Sequence, residues 1–177
     1  VEGDYLEFGV FKGSTFIEAY KKAKSKGVDN MRFFAFDSFQ GLPEPKGLDK
    51  SFNQFDKGEY KFSLEDFKNK LATSKVESKD ISITPGWFDQ TLNPETKKKL
   101  GLKSAAVVWI DGDLYESAVP VLKFVTDLLV DGSILVFDDW FFFKGNPGMG
   151  EQRAFNECLK ENQNIKVSEF HKYFWHR

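Results

Sequence analysis

The chain has 177 residues, 41% of them hydrophobic, enough apolar material for the core of one domain over 1–177. A net charge of −2 gives no electrostatic footprint for nucleic acid, and no apolar run is long enough to span a membrane. The single cysteine, Cys158, excludes an internal disulfide framework and fits a reducing, cytoplasmic compartment. No signal peptide precedes the first strand-like run, and the chain reads as a piece of a longer protein lacking an N-terminal segment.

In chain order, Asp4 to Phe8 predicts a strand, Gly9 to Ser14 a turn, and Thr15 to Lys26 a helix closed by Gly27 at C′. Met31 to Phe36 predicts a second strand ending at Asp37. Ser38 to Phe62 has no period, and a loop of that length in a compact domain is usually functional. Ser63, with Asp66 three residues on, predicts the N-cap of a helix to Thr73. Asp80 to Thr84 is a third strand, Pro85 to Leu92 a loop, Pro94 to Leu100 a short helix and Ala105 to Ile110 a fourth strand. Asp113 to Glu116 has capping-box spacing before a helix reaching about Leu129, interrupted by Pro120. Asp131-Gly132 predicts a turn, Ser133 to Phe137 a fifth strand, and Gly148 to Asn162 a helix. Ile165 to Phe170 and Lys172 to Trp175 predict two closing antiparallel strands. Repeated βα units demand right-handed crossovers and a mostly parallel sheet with helices on both faces.

Two buried strands end in acid: Val107-Val108-Trp109-Ile110-Asp111-Gly112-Asp113 and Ile134-Leu135-Val136-Phe137-Asp138-Asp139. The carboxyl edge of an open α/β sheet is where ligands bind, and a hard divalent cation is the usual reason to gather carboxylates there. Asp111, Asp138 and Asp139 are the metal candidates. An oxygen-only ligand set favours Mg²⁺ or Mn²⁺ over Zn²⁺. Asp113 is also explained as the cap of the next helix. Glu7-x-Gly9-x-x-x-Gly13-Ser14-Thr15 departs from the dinucleotide fingerprint. It reads as a loop for an amino-acid head group, with Glu7 favouring the ammonium, or as a plain βα turn. Asp37, with Ser38 alongside, suits the ribose hydroxyls of an adenosine cofactor, or a turn cap. Trp87-Phe88 suits an adenine wall or core packing. Gln152 and Arg153 face a metal cleft or, with Glu151, lie exposed on the last helix.

These motifs together resemble class I S-adenosylmethionine-dependent methyltransferases, and more closely the macrocin O-methyltransferase family of metal-dependent sugar O-methyltransferases. The resemblance rests on Tyr5 to Ser14, Phe36-Asp37-Ser38-Phe39-Gln40-Gly41-Leu42-Pro43, Gly86-Trp87-Phe88, Ile110 to Ser117, Asp138-Asp139-Trp140 and Gly150 to Phe155. It implies a Rossmann-like, seven-stranded, mostly parallel sheet with an antiparallel last strand. It implies that Glu7, Gly9, Gly13, Ser14 and Thr15 hold the methionine part of S-adenosylmethionine, Asp37 and Ser38 the ribose, and Trp87, Phe88 and Asp111 further parts of the cofactor. It implies Mg²⁺ on Asp111, Asp138 and Asp139, and an acceptor hydroxyl on a sugar or glycoside. Leu114 stands where some metal-dependent relatives carry a Lys or His base, which leaves Asp111, Asp113 or the metal-bound alkoxide itself for that role. The loop from Gly41 to Phe62 reads as a lid, and an N-terminal helical segment typical of the family, where subunits of a homo-oligomer would meet, is lacking. The rival readings are an NAD-binding oxidoreductase, against which the glycine spacing argues, and a non-catalytic cofactor-binding domain.

Overall fold

A computed structural model describes residues 1–51 and 55–172. Five strands form one sheet: β1 (Asp4–Phe8), β2 (Phe33–Asp37), β3 (Ile81–Pro85), β4 (Ala105–Ile110) and β5 (Leu129–Phe137). Their order is β3-β2-β1-β4-β5 and every pairing is parallel. The helices are α1 (Ser14–Ser25), α2 (Gly47–Ser51), α3 (Leu64–Thr73), α4 (Phe88–Thr91), α5 (Pro94–Leu100), α6 (Tyr115–Val125) and α7 (Gly150–Glu161). None is long and apolar enough to cross a membrane.

Strand alternation sorts the core into two layers. On one face, Tyr5, Phe33 and Ala35 meet Phe16, Ile17 and Tyr20 of α1 and Phe67 and Leu71 of α3. On the other, Leu6, Phe8, Phe34, Phe36, Val108 and Ile110 meet Val121, Leu122 and Val125 of α6 and Ala154 and Cys158 of α7. Six of the chain's phenylalanines on β1, β2, α1 and α3 are at most 2% exposed, so much of the unusual Phe content is core. Phe8 stacks on Phe36 at 4.7 Å between centroids, and Phe124 meets both edge-on. Each such ring contributes roughly 1.5–3 kcal/mol of burial.

Local signals place the ends. At the end of α1, Val28 N donates to Ala23 O (3.0 Å) and Gly27 N to Lys24 O (3.1 Å), a Schellman closure around Gly27. Ser63 Oγ accepts from Asp66 N (3.0 Å) and caps α3 as its spacing predicts.

Five expectations need correction. The sheet has five strands rather than seven, and none is antiparallel among the described residues. Ile165 to Phe170 forms no strand: alternation supplies propensity, but a strand exists only with a partner for its backbone groups, and no ladder forms here. Phe170 instead rests on Trp140, and the rest of the last predicted strand, 173–175, lies outside the described residues. Asp131-Gly132 does not precede β5 but lies within it as an irregularity. There Ser133 Oγ accepts from Val130 N (2.8 Å) and donates to Ala105 O (2.7 Å). The loop after β3 contains a helical turn, α4, whose Thr91 Oγ donates to Trp87 O at 2.9 Å. Finally, Asp113 does not cap α6. It sits in the left-handed region at φ 58°, Leu114 occupies the N-cap, and α6 runs unbroken through Pro120 from Tyr115.

Candidate functional site

All five strands point the same way, so their carboxyl ends share one edge. Chain order reverses there between β1 and β4, leaving a crevice outside the sheet. A cleft of about 700 Å³ occupies it.

The β1–α1 loop forms one wall. Gly9 has φ 88°, and a Cβ there would lie 1.8 Å from Asp111 O, so the glycine lets this loop press against the one after β4. Gly13 (φ 70°) is likewise hemmed in by the ring of Phe67, whose Cε2 would lie 2.5 Å from a Cβ. Both glycines serve chain-to-chain contact, and only Gly9 of the two lines the cleft. Glu7 lies beneath the loop, 1% exposed, and accepts from Tyr5 Oη at 2.5 Å. Burial pushes its carboxyl up to about 8; the Tyr5 hydrogen bond works against this, and the charges of Asp138 and Asp37 add to it. Ser14 is exposed and accepts from Lys70 Nζ (3.2 Å), and Thr15 is half-buried; neither lines the cleft.

Asp37 does line it. Its Oδ2 accepts from Val10 N (2.8 Å) and Phe11 N (3.2 Å), and its Oδ1 from Phe39 N (2.6 Å). One carboxylate thus staples the loop after β1 to the loop after β2. Burial raises its pKa and the three N–H groups oppose the rise. Ser38 Oγ donates to Gly41 O (2.9 Å) and accepts from Gln40 N (3.0 Å). Trp87 and Phe88 line the cleft as well, and Phe88 also meets Phe8 edge-on at 6.0 Å, so that ring packs on the core while bordering the cleft.

The acids gather on the other side. Asp111, Asp113 and Asp139 each offer an oxygen within 4.8 Å of the others, and Asp138 lines the cleft beside them. Asp113 and Asp139 are 8% and 6% exposed. Burial raises all three pKa values. At Asp111 the charges of Asp139, Asp138 and Asp113 raise it further. No Lys or Arg ion-pairs with Asp111, Asp113 or Asp139 among the described residues.

Glu151 is the residue that sequence reasoning missed. It is 1% exposed, and its Oε2 accepts from Asp139 N at 3.1 Å. Its Oε1 and the Oδ2 of Asp139 are buried without a hydrogen-bond partner. The signal was available: Glu151, Ala154 and Cys158 fall at i, i+3 and i+7, the buried stripe of α7. Gln152 and Arg153 turn away from the cleft. Gln152 Nε2 donates to Trp140 O, while Arg153 pairs with Glu157 (2.9 Å) and covers the Tyr115 ring at 4.1 Å.

The donors fit a hard divalent cation: oxygen only, converging, and including a buried Asp139 oxygen that nothing among the described residues satisfies. The family model described as macrocin-O-methyltransferase (TylF) matches residues 1–176. The chain belongs to that family. It is 28% identical over 145 residues to the 8-demethyl-8-(2,3-dimethoxy-alpha-L-rhamnosyl)-tetracenomycin-C 4'-O-methyltransferase of Streptomyces olivaceus, covering 79% of this chain and 54% of that one. It is 27% identical over 147 residues to the mycinamicin III 3''-O-methyltransferase of Micromonospora griseorubida, covering 79% and 56%. The chain therefore spans about half the length of the curated relatives it matches. Among solved structures it resembles the O-methyltransferase NovP, with a TM-score of 0.77, 23% identity and coverage of 92% of this chain and 65% of that one. It also resembles CalS11, a calicheamicin methyltransferase, with a TM-score of 0.71, 20% identity and coverage of 92% and 64%. These likenesses establish the fold.

Proposed function

We propose that the protein transfers a methyl group from S-adenosylmethionine to a hydroxyl of a sugar on a glycosylated small molecule, with a divalent cation as cofactor. The observation that carries the reading is the convergence of Asp111, Asp113 and Asp139 in a cleft that Gly9, Asp37, Trp87 and Phe88 also line. Relatives named as sugar O-methyltransferases, and the family itself, support it.

Asp111 and Asp139, whose oxygens converge with that of Asp113, and Asp138 beside them would hold Mg²⁺ or Mn²⁺. When bound, the cation supplies charge that lowers an acceptor hydroxyl's pKa, and the sulfonium cofactor supplies the electrophilic methyl. The chain's own work is placement. Of Glu7, Gly9, Gly13, Ser14 and Thr15, only Gly9 lines the cleft and would meet the methionine moiety, with Asp37 and Ser38 at the ribose and Trp87 and Phe88 at the base. Asp113 lines the cleft from a buried position that raises its pKa, which suits a group that takes up the hydroxyl proton. Asp111 is the alternative acceptor for that proton. Leu42, Pro43, Glu44, Lys46 and Tyr60 line the cleft and would help exclude water from a bound acceptor.

The test is calorimetric titration of the full-length protein with S-adenosylhomocysteine, with and without Mg²⁺, followed by methyl transfer to a panel of glycosides. Micromolar binding and Mg²⁺-dependent transfer are expected. A full-length protein that binds no S-adenosylhomocysteine overturns the reading.

A further inference from the structure

The starts of α6 and α7 lack a side-chain cap of their own: Leu114 and Met149 occupy the N-cap positions and neither can accept a hydrogen bond through its side chain. A single remote residue serves both. Asp49 on α2, 4% exposed, accepts from Tyr115 N through Oδ2 at 2.6 Å and from Gly150 N through Oδ1 at 3.4 Å. These partners are 66 and 101 residues away in sequence.

The two helix starts are those next to the acidic side chains. Asp113 lies two residues before Tyr115, and Glu151, which holds the Asp139 amide, follows Gly150. The segment carrying Asp49 also carries Leu42, Pro43, Glu44 and Lys46 into the cleft. Beneath it, Leu42 and Phe55 form a small separate core with Leu114, Phe143 and Met149, so the apolar contact falls on the same two helix starts.

We propose that Asp49 is a positioning residue of the acceptor site. Its carboxylate latches the segment that roofs the cleft to the first amides of α6 and α7, so the roof and the acidic wall form together. With the segment in place, both helix starts are capped and the acids beside them are held. With it displaced, both starts lose their acceptor at once. The catalytic consequence rests on the methyl-transfer reading; the latch does not.

Amide hydrogen exchange by mass spectrometry on the full-length protein reads the latch. In Asp49→Ala, peptides covering 41–47, the start of α6 and the start of α7 are expected to lose protection together, roughly five- to thirtyfold, as expected for a lost cap. Asp49→Asn keeps one acceptor oxygen and no second, so it should retain protection at Tyr115 and lose it at Gly150. It decides the matter if the alanine variant does not fold. Steady-state kinetics supply the second readout: acceptor KM rises and kcat falls while the Kd for S-adenosylhomocysteine stays unchanged. Unaltered exchange at both helix starts in folded Asp49 variants overturns the latch. A lower melting temperature with unaltered acceptor KM overturns the positioning role. Failure of the wild-type protein to bind S-adenosylhomocysteine would refute the methyl-transfer reading, and the exchange data would still decide the latch.

Discussion

Replacing Gly9 by alanine should damage this protein far more than an equivalent change at Gly27, and the structure sets the size of the gap. Both glycines have positive φ, 88° and 72°, so both substitutions carry the left-handed penalty of about 1 kcal/mol. A Cβ at Gly27 would meet nothing within 4 Å, so the cost ends there. A Cβ at Gly9 would lie 1.8 Å from Asp111 O, and ordinary contact begins at 3.4 Å, so the two loops must part by about 1.6 Å. They are pinned against parting by Gly9 N donating to Phe36 O and Asp111 N donating to Phe8 O, both at 2.9 Å. Losing one or both of those buried bonds adds about 1–3 kcal/mol each. Gly9→Ala should therefore cost roughly 2–7 kcal/mol, or about 5–25 °C in Tm for a chain of this size, against about 3 °C for Gly27→Ala. Denaturant melts of the two variants and wild type measure this. Two variants within 1 kcal/mol of each other would refute the close-approach argument.

Two further outcomes follow from the buried acids. Glu7 is held at about 8 in the folded protein against an ordinary 4.5, so the native state keeps a proton that the unfolded chain releases between those values. Its contribution is present in full below pH 4.5 and is lost as pH rises to about 8, with a slope of at most about 1.4 kcal/mol per pH unit. Glu7→Gln should remove that slope from denaturant midpoints measured at pH 5, 7 and 9, and an unchanged slope would show that Glu7 is not the titrating group. Mg²⁺ at about a hundred times its Kd should raise the wild-type Tm by roughly 5–10 °C. Asp139→Asn should melt higher than wild type without metal, because folding no longer has to bury or protonate that carboxylate, and should lose the Mg²⁺ response; a retained response would remove Asp139 from the ligand set.

The parallel sheet was legible because β1, β2, β4 and β5 are short apolar runs bounded by acids and glycines, and the helix between β1 and β2 carries its own stop signal in Gly27. The acidic edge was legible for the same reason: Asp111, Asp138 and Asp139 each stand where an apolar run stops. What escaped was non-local. Asp113 has the spacing of a cap, but its left-handed backbone turns it toward Asp139, and that depends on a strand neighbour 26 residues away. Glu151 puts a carboxyl group on a buried stripe, and its partner there, the amide of Asp139, is remote in sequence. Ile165 to Phe170 alternates like a strand, yet alternation does not supply an edge to pair with. Asp49 lies in an aperiodic stretch, where nothing local marks it as the cap of two distant helices.

The three hydrogen bonds to Asp37 have a thermodynamic consequence. The chain after β1 and the chain after β2 are fixed to each other by Val10 N, Phe11 N and Phe39 N before anything enters the cleft. Little conformational entropy is left in that wall for a ligand to freeze out, so its share of binding comes from contacts and desolvation and not from ordering the loops.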